Sequence, residues 1–121
     1  MHGHIRAITE MSNTKREAST GAVRNNREGK GRFDLLPARA MAVKARHFES
    51  GASQHGDRNW EKGQPLSWYL DSALRHSFQV LQGDTSEDHA AAAGWNWDCY
   101  IETRERIKAG LLPAELDDLP K

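Results

Sequence analysis

The sequence predicts an all-α fold: a small helical bundle behind an extended basic N-terminal arm, completed by oligomerisation. Three observations carry this reading. Two segments bounded by proline and glycine place apolar residues at three- and four-residue intervals, the period of a helix with one buried face. A third begins behind Thr85-Ser86, whose hydroxyls can cap a helix, and stops at Gly110. Finally, only 37% of the 121 residues are hydrophobic and 28% are charged, a thin apolar share that favours a core shared between copies.

The arm, residues 1–32, comes first. Residues 9–32 are polar, hold three glycines and show no sustained apolar period. Residues 1–33 carry seven Lys/Arg against three Asp/Glu, although the whole chain is neutral. With few aromatics and no nucleic-acid motif, this basic stretch reads as a solvated tail rather than a nucleic-acid contact. His2 and His4 form a His-x-His pair that reads as incidental on a terminus. The opening residues lack the apolar run of a signal peptide, and no stretch approaches the roughly 18 apolar residues of a membrane span. Cys99 is the one cysteine, so an intramolecular disulfide is excluded and the cytoplasm is the expected compartment.

The helical domain occupies residues 33–121. Phe33, Leu35, Leu36 and Pro37 form an apolar anchor, and a helix is expected from Pro37 to Ser50 with Ala38, Met41, Ala42, Ala45 and Phe48 as its buried stripe and Gly51 as its stop. The glycine-rich segment that follows reads as a binding loop in which Arg58, Asn59, Trp60 and Lys62 gather two cations and a stacking surface; Trp60 can equally plug the core. A second helix is expected over Pro65–Gln82 with Leu70, Ala73, Leu74, Phe78 and Leu81 as its stripe. On it Asp71 and Arg75 stand one turn apart, spaced to pair, and His76 lies about 100° further round. The third helix runs from Thr85 or Ser86 to about Ala109, and its alanine run admits a close neighbour. The chain ends in a short turn docking through Leu111, Leu112 and Leu116, with Asp117 and Asp118 as a solvated end.

The densest polar cluster is GDTSEDH, residues 83–89. Carboxylates suit a hard cation such as Mg²⁺, and acidic residues also stabilise a helix start with no ligand at all. Asn96 lies two turns beyond His89 on the same face, between Trp95 and Trp97, placed either to read a base or to be a satisfied buried amide. Arg75 offers a fixed charge for phosphate and His76 a titratable imidazole.

The blocks GKGRFDLLP, HGDRNWEKG, SALRH and GDTSEDHAAAAGWN occur in this order and spacing in a phage-associated family. Over about residues 21–120, the ending GLLPAELDDLP included, the chain resembles the dATP/dGTP diphosphohydrolase N-terminal domain family. That family is grouped with the MazG-like all-α nucleotide pyrophosphatases, generally dimers or tetramers, which use Mg²⁺ to split a nucleoside triphosphate into monophosphate and pyrophosphate. The resemblance therefore implies a nucleotide substrate, a homo-oligomer and Mg²⁺, with Mn²⁺ the alternative where histidine replaces carboxylate. MazG-type enzymes carry Glu-Glu-x-x-Glu on one helix and Glu-x-x-Asp on the next, and this chain has neither. Its nearest substitutes are Asp71 and His76 with Asp84, Glu87 and Asp88.

On this reading Asp84, Glu87 and Asp88 hold the metal, and His76, His89 and Asp88 carry the proton chemistry. Arg58, Lys62 and Arg75 neutralise phosphate, Asn59 and Asn96 contact the substrate, and Trp60 or Trp95 stacks on the base. Two other functions fit the same residues: a phage protein that binds a nucleotide or signalling molecule without cleaving it, and a structural or interaction protein whose polar groups form an intersubunit network.

Overall fold

A computed structural model describes residues 15–121; His2, His4 and the rest of the first fourteen residues lie outside the described residues. The chain forms two compact units, the first ending at Leu36 and the second spanning Pro37–Lys121. The arm is not irregular throughout. Strand β1 (Lys15–Glu17) pairs antiparallel with β2 (Val23–Asn25), with Arg16 opposite Arg24. Gly21, at φ 87°, makes the turn, donating to Ala18 O at 2.9 Å while Ala18 N reaches Ala22 O at 2.8 Å. Strands of three exposed residues bury no face, so they leave no alternating pattern in the sequence. Phe33–Leu35 form one 3-10 turn beside an Arg32–Asp34 ion pair.

The second unit is three helices: α1 (Ala38–His55), α2 (Leu66–Leu81) and α3 (His89–Lys108). Helix α1 outruns its expected end at Ser50, because Gly51 sits inside it at a cost of about 1 kcal/mol and nothing there demands a left-handed residue. The stop is Gly56, at φ 92°, whose N–H bonds Ala52 O at 2.8 Å. The expected loop is thereby shortened to a tight connection containing a 3-10 turn, Asn59–Lys62, entered through Arg58 at φ 59°.

Helices α2 and α3 run antiparallel and carry the core. His76, late in α2, meets His89 at the start of α3, while Leu66 and Tyr69 cluster with Cys99 farther along. Leu66, Tyr69, Ala73 and Cys99 are almost completely buried, with Phe48, Trp60, Trp95, Tyr100, Ile107 and Leu119 packed around them. Burial pushes the Tyr69 phenol and the Cys99 thiol each up to about 12, which leaves Cys99 a packing group rather than a nucleophile. The alanine run does admit a close neighbour: Ala91, Ala92 and Ala93 are buried, and a Cβ on Gly94 would stand 3.3 Å from Lys44 Cδ of α1. Lys44 also pairs with Asp98 at 3.0 Å.

The buried faces differ from those expected. On α2 the core stripe is Leu66, Tyr69 and Ala73, while Leu74, Phe78 and Leu81 are exposed and Leu70 is half-buried. On α1 no residue is fully buried; Met41 and Phe48 are half-buried together with Lys44 and His47, while Ala38, Ala42 and Ala45 are exposed.

Helix ends are set by local chemistry. After α2, Gly83 at φ 77° closes a paired cap, Gly83 N to Val80 O and Asp84 N to Gln79 O, both 3.0 Å; Gly110 repeats it after α3. The cap of α3 is Asp88, whose Oδ1 accepts from Ala91 N at 3.0 Å, rather than Thr85 or Ser86. Ser86 N instead donates to Asp84 Oδ1 at 2.8 Å, folding the connection back and delaying the helix by a turn. At the start of α2, Ser67 N donates to Asp118 Oδ1 at 3.0 Å and the Ser67 hydroxyl to Asp118 Oδ2, so Asp118 is a cap and not a solvated end. The C-terminal segment docks through half-buried Leu112, Leu116 and Leu119, with Leu111 exposed.

Candidate functional site

The connection between α2 and α3 builds the site. The glycine cap at Gly83, the Asp84 turn and the Asp88 cap together reverse the chain within seven residues. His89, first residue of α3, is thereby buried against His76, with Nδ1 to Nδ1 at 2.9 Å and ring centroids 5.1 Å apart. Glu87 Oε1 lies 3.6 Å from each of these nitrogens.

Two imidazole nitrogens and one carboxylate oxygen thus converge within 4.8 Å of one another. A triangle with sides of 2.9, 3.6 and 3.6 Å has a circumradius of about 2.0 Å, so one point can stand at metal-bond distance from all three atoms. Two nitrogens and one oxygen form a donor set of borderline softness, which fits a divalent transition cation better than Mg²⁺. Without a cation, the 2.9 Å contact is a hydrogen bond in which one Nδ1–H donates to the other ring.

Other groups surround this cluster. Asp84 Oδ2 lies 3.3 Å from His89 Nε2, a close pair without hydrogen-bond geometry, which leaves that buried nitrogen without a hydrogen-bond partner among the described residues. Hydrogen bonds from Ser86 hold the Asp84 carboxyl below the usual range, keeping it charged beside the ring. Burial, reinforced by neighbouring Arg75, holds His76 below the ordinary imidazole value.

An open groove of about 1150 Å³ runs past the cluster, between the end of α1, the turn after it and the facing sides of α2 and α3. Its size is somewhat above the range of about 300–1,000 Å³ usual for small-molecule sites. Of the residues singled out in the sequence, Arg58, Asn59, Trp60, Arg75, His76, Glu87, Asp88 and Asn96 line it. Lys62 and Asp84 do not, and His89 sits buried behind His76.

Charges along the groove are unequally free. Arg58 is tied to Glu61 at 3.0 Å, and Glu61 also meets Arg106 at 3.4 Å. Arg75 forms no ion pair among the described residues, and the expected pairing with Asp71 is absent; its contact is Ser72 Oγ at 3.4 Å, because Asp71 faces a second, smaller groove. Asn96 is buried and donates to Ala92 O at 2.9 Å. The Trp95 indole N–H is buried in the groove wall without an acceptor among the described residues. Helix α1 adds His47, Phe48 and Glu49, which the sequence reading did not place in the site. Nothing on its own helix marks His47, which lies off the expected apolar stripe; packing brings its ring to 5.7 Å from Trp95.

The fold and site define a helical protein with a histidine–carboxylate cluster beside an open groove. A family model described as "dATP/dGTP diphosphohydrolase, N-terminal" matches residues 20–110, and the chain belongs to that family. All three helices and the whole cluster lie within the matched residues, while the ending after Gly110 lies beyond them. No curated protein and no solved structure matches the chain.

Proposed function

We propose that this chain is a metal-dependent diphosphohydrolase acting on deoxynucleoside triphosphates of the dATP/dGTP type, giving monophosphate and pyrophosphate. The observation that carries the reading is the convergence of His76, Glu87 and His89 on one cation-sized point at the edge of the groove. The family description supplies the nucleotide and the diphosphohydrolase reaction.

His76, Glu87 and His89 would hold the cation, which reassigns the two histidines from proton carriers to ligands. When bound, the cation supplies Lewis-acid polarisation of a phosphoryl oxygen and a more acidic water. Arg75, without a carboxylate partner among the described residues, would bind phosphate oxygens. Asp88 spends one carboxylate oxygen on Ala91 N, and the other is left to orient a water and take its proton. Trp60 and Trp95 line the groove as stacking surfaces, and the unpartnered Trp95 N–H together with Asn96 offers polar groups to a base. Asn59 and Arg58 close the groove at its α1 end, while Lys62 drops out of the phosphate set and Asp84 acts behind His89 rather than on the cation.

The test is incubation with each deoxynucleoside and ribonucleoside triphosphate plus Mn²⁺ or Mg²⁺, with products resolved by anion-exchange chromatography. Monophosphate and pyrophosphate are expected, faster with Mn²⁺. Intact triphosphate under every condition overturns the reading. The presence of one carboxylate in the cluster, where the two MazG-type motifs supply five, favours one rival, a protein that binds a nucleotide and leaves it whole; tight binding of unchanged ligand would establish it.

A further inference from the structure

The two ring nitrogens of His89 face different neighbours. Nδ1 lies 2.9 Å from His76 Nδ1 and 3.6 Å from Glu87 Oε1, at the point where a cation fits. Nε2 is buried, has no hydrogen-bond partner among the described residues, and stands 3.3 Å from Asp84 Oδ2. That carboxylate is itself held: its Oδ1 accepts from Ser86 N at 2.8 Å, which leaves Oδ2 to the ring.

A neutral imidazole carries a proton on one nitrogen and a lone pair on the other, and a carboxylate can only accept. A bare Nε2 would set a lone pair against Asp84 in a buried place. An Nε2–H instead offers the carboxylate a donor, at a separation that a small rotation of either group turns into a hydrogen bond. We infer that Asp84 is a positioning residue, which holds His89 in the Nε2–H tautomer so that the Nδ1 lone pair stands ready for the cation. This rests on the metal reading proposed above and supplies what presets the ligand: a carboxylate behind a metal-binding histidine fixes both the tautomer and the orientation of the ring.

The proton on His76 is assigned by the same step. With a lone pair on His89 Nδ1, the 2.9 Å contact requires the hydrogen to sit on His76 Nδ1. That nitrogen must be bare to bind the cation, so His76 exchanges Nδ1–H for Nε2–H as the cation enters, one proton leaving one nitrogen and one arriving at the other. His89 is the fixed ligand and His76 the adjustable one, and their side-chain exposures, 3% and 13%, agree.

Asp84→Asn is the informative variant. Its single carbonyl oxygen is kept by Ser86 N, which preserves the turn, and its NH₂ then faces His89 Nε2 as a donor, favouring the opposite tautomer. Nitrogen-15 NMR of the imidazole rings, on the full chain without metal at a pH where both rings are neutral, reads the assignment. Wild type should show His89 protonated at Nε2 and His76 at Nδ1, and Asp84→Asn should show His89 protonated at Nδ1. Titration with Mn²⁺, followed by the electron paramagnetic resonance of the free ion, should show affinity lowered roughly tenfold to a hundredfold in Asp84→Asn. His89 protonated at Nδ1 in wild type, or equal Mn²⁺ affinity in a folded Asp84→Asn, overturns the inference. The tautomer is read without a cation, so the two readings fail separately: a wild type that binds no Mn²⁺ while His89 keeps its Nε2–H leaves Asp84 as the group that sets the ring and removes the metal reading alone.

Discussion

On the proposed reading Asp88 does two things with one carboxylate, and they can be separated. Asn accepts from a helix N–H nearly as well as Asp, whereas Ala does not. Asp88→Ala should therefore cost about 1 kcal/mol of stability through the lost Ala91 contact, while Asp88→Asn keeps the melting temperature within error. Both should lose at least a hundredfold in kcat if the free oxygen takes a proton from water. Arg75→Ala removes a charge-assisted contact to phosphate worth about 1.5–3 kcal/mol, so kcat/KM should fall roughly tenfold to a hundredfold with unchanged stability. Equal kcat/KM in the variant would take Arg75 out of the site.

At the scale of elements, the C-terminal segment decides how α2 begins. A Cβ on Gly63 would stand 2.8 Å from Leu116 Cδ1 and 3.2 Å from Leu112 Cδ2, and the backbone there has φ 102°. Gly63→Ala should accordingly destabilise by about 1–3 kcal/mol or more in thermal unfolding. The Asp118 cap gives a pH signature. The Ser67 hydroxyl and then its N–H hold the Asp118 carboxyl below the usual carboxylate range, so the folded state binds its proton less readily than the unfolded chain. Its contribution is complete above the unfolded value near 4 and is lost as pH falls through the lowered folded value. The stability gap between wild type and Asp118→Asn should be constant from pH 6 to 8 and close in acid. Neither partner of this cap could be paired from the sequence, since 51 residues separate them. The ends of α2 and α3 were legible because Gly83 and Gly110 act on their own turns; the rotation of α2 was not, because a neighbour chooses the buried face. His76, polar and therefore read off the stripe, turns inward to reach His89.

For the whole molecule, a cation that binds the folded cluster alone must raise the melting temperature. At a hundredfold excess over its dissociation constant it contributes about 2.7 kcal/mol, or roughly 10 °C or more for a unit of this size. Mn²⁺ should give such a shift in wild type and none in His89→Asn, read by calorimetry. The composition led to the expectation of a core shared between copies, whereas the exposure of Leu74, Phe78 and Leu81 could not be read from it. The site was half legible: the local run from Asp84 to His89 stood out, whereas the share of α1, carried by His47 and Phe48, depends on packing across some fifty residues. The tie between Ser67 and Asp118 also sets a timetable. A ribosome adds about 5–20 residues per second, so the start of α2 is synthesised several seconds before the residue that caps it. During translation the helix carrying His76 thus waits with its first turn open, and a chaperone that shields apolar segments would find Leu66 and Tyr69 in that interval.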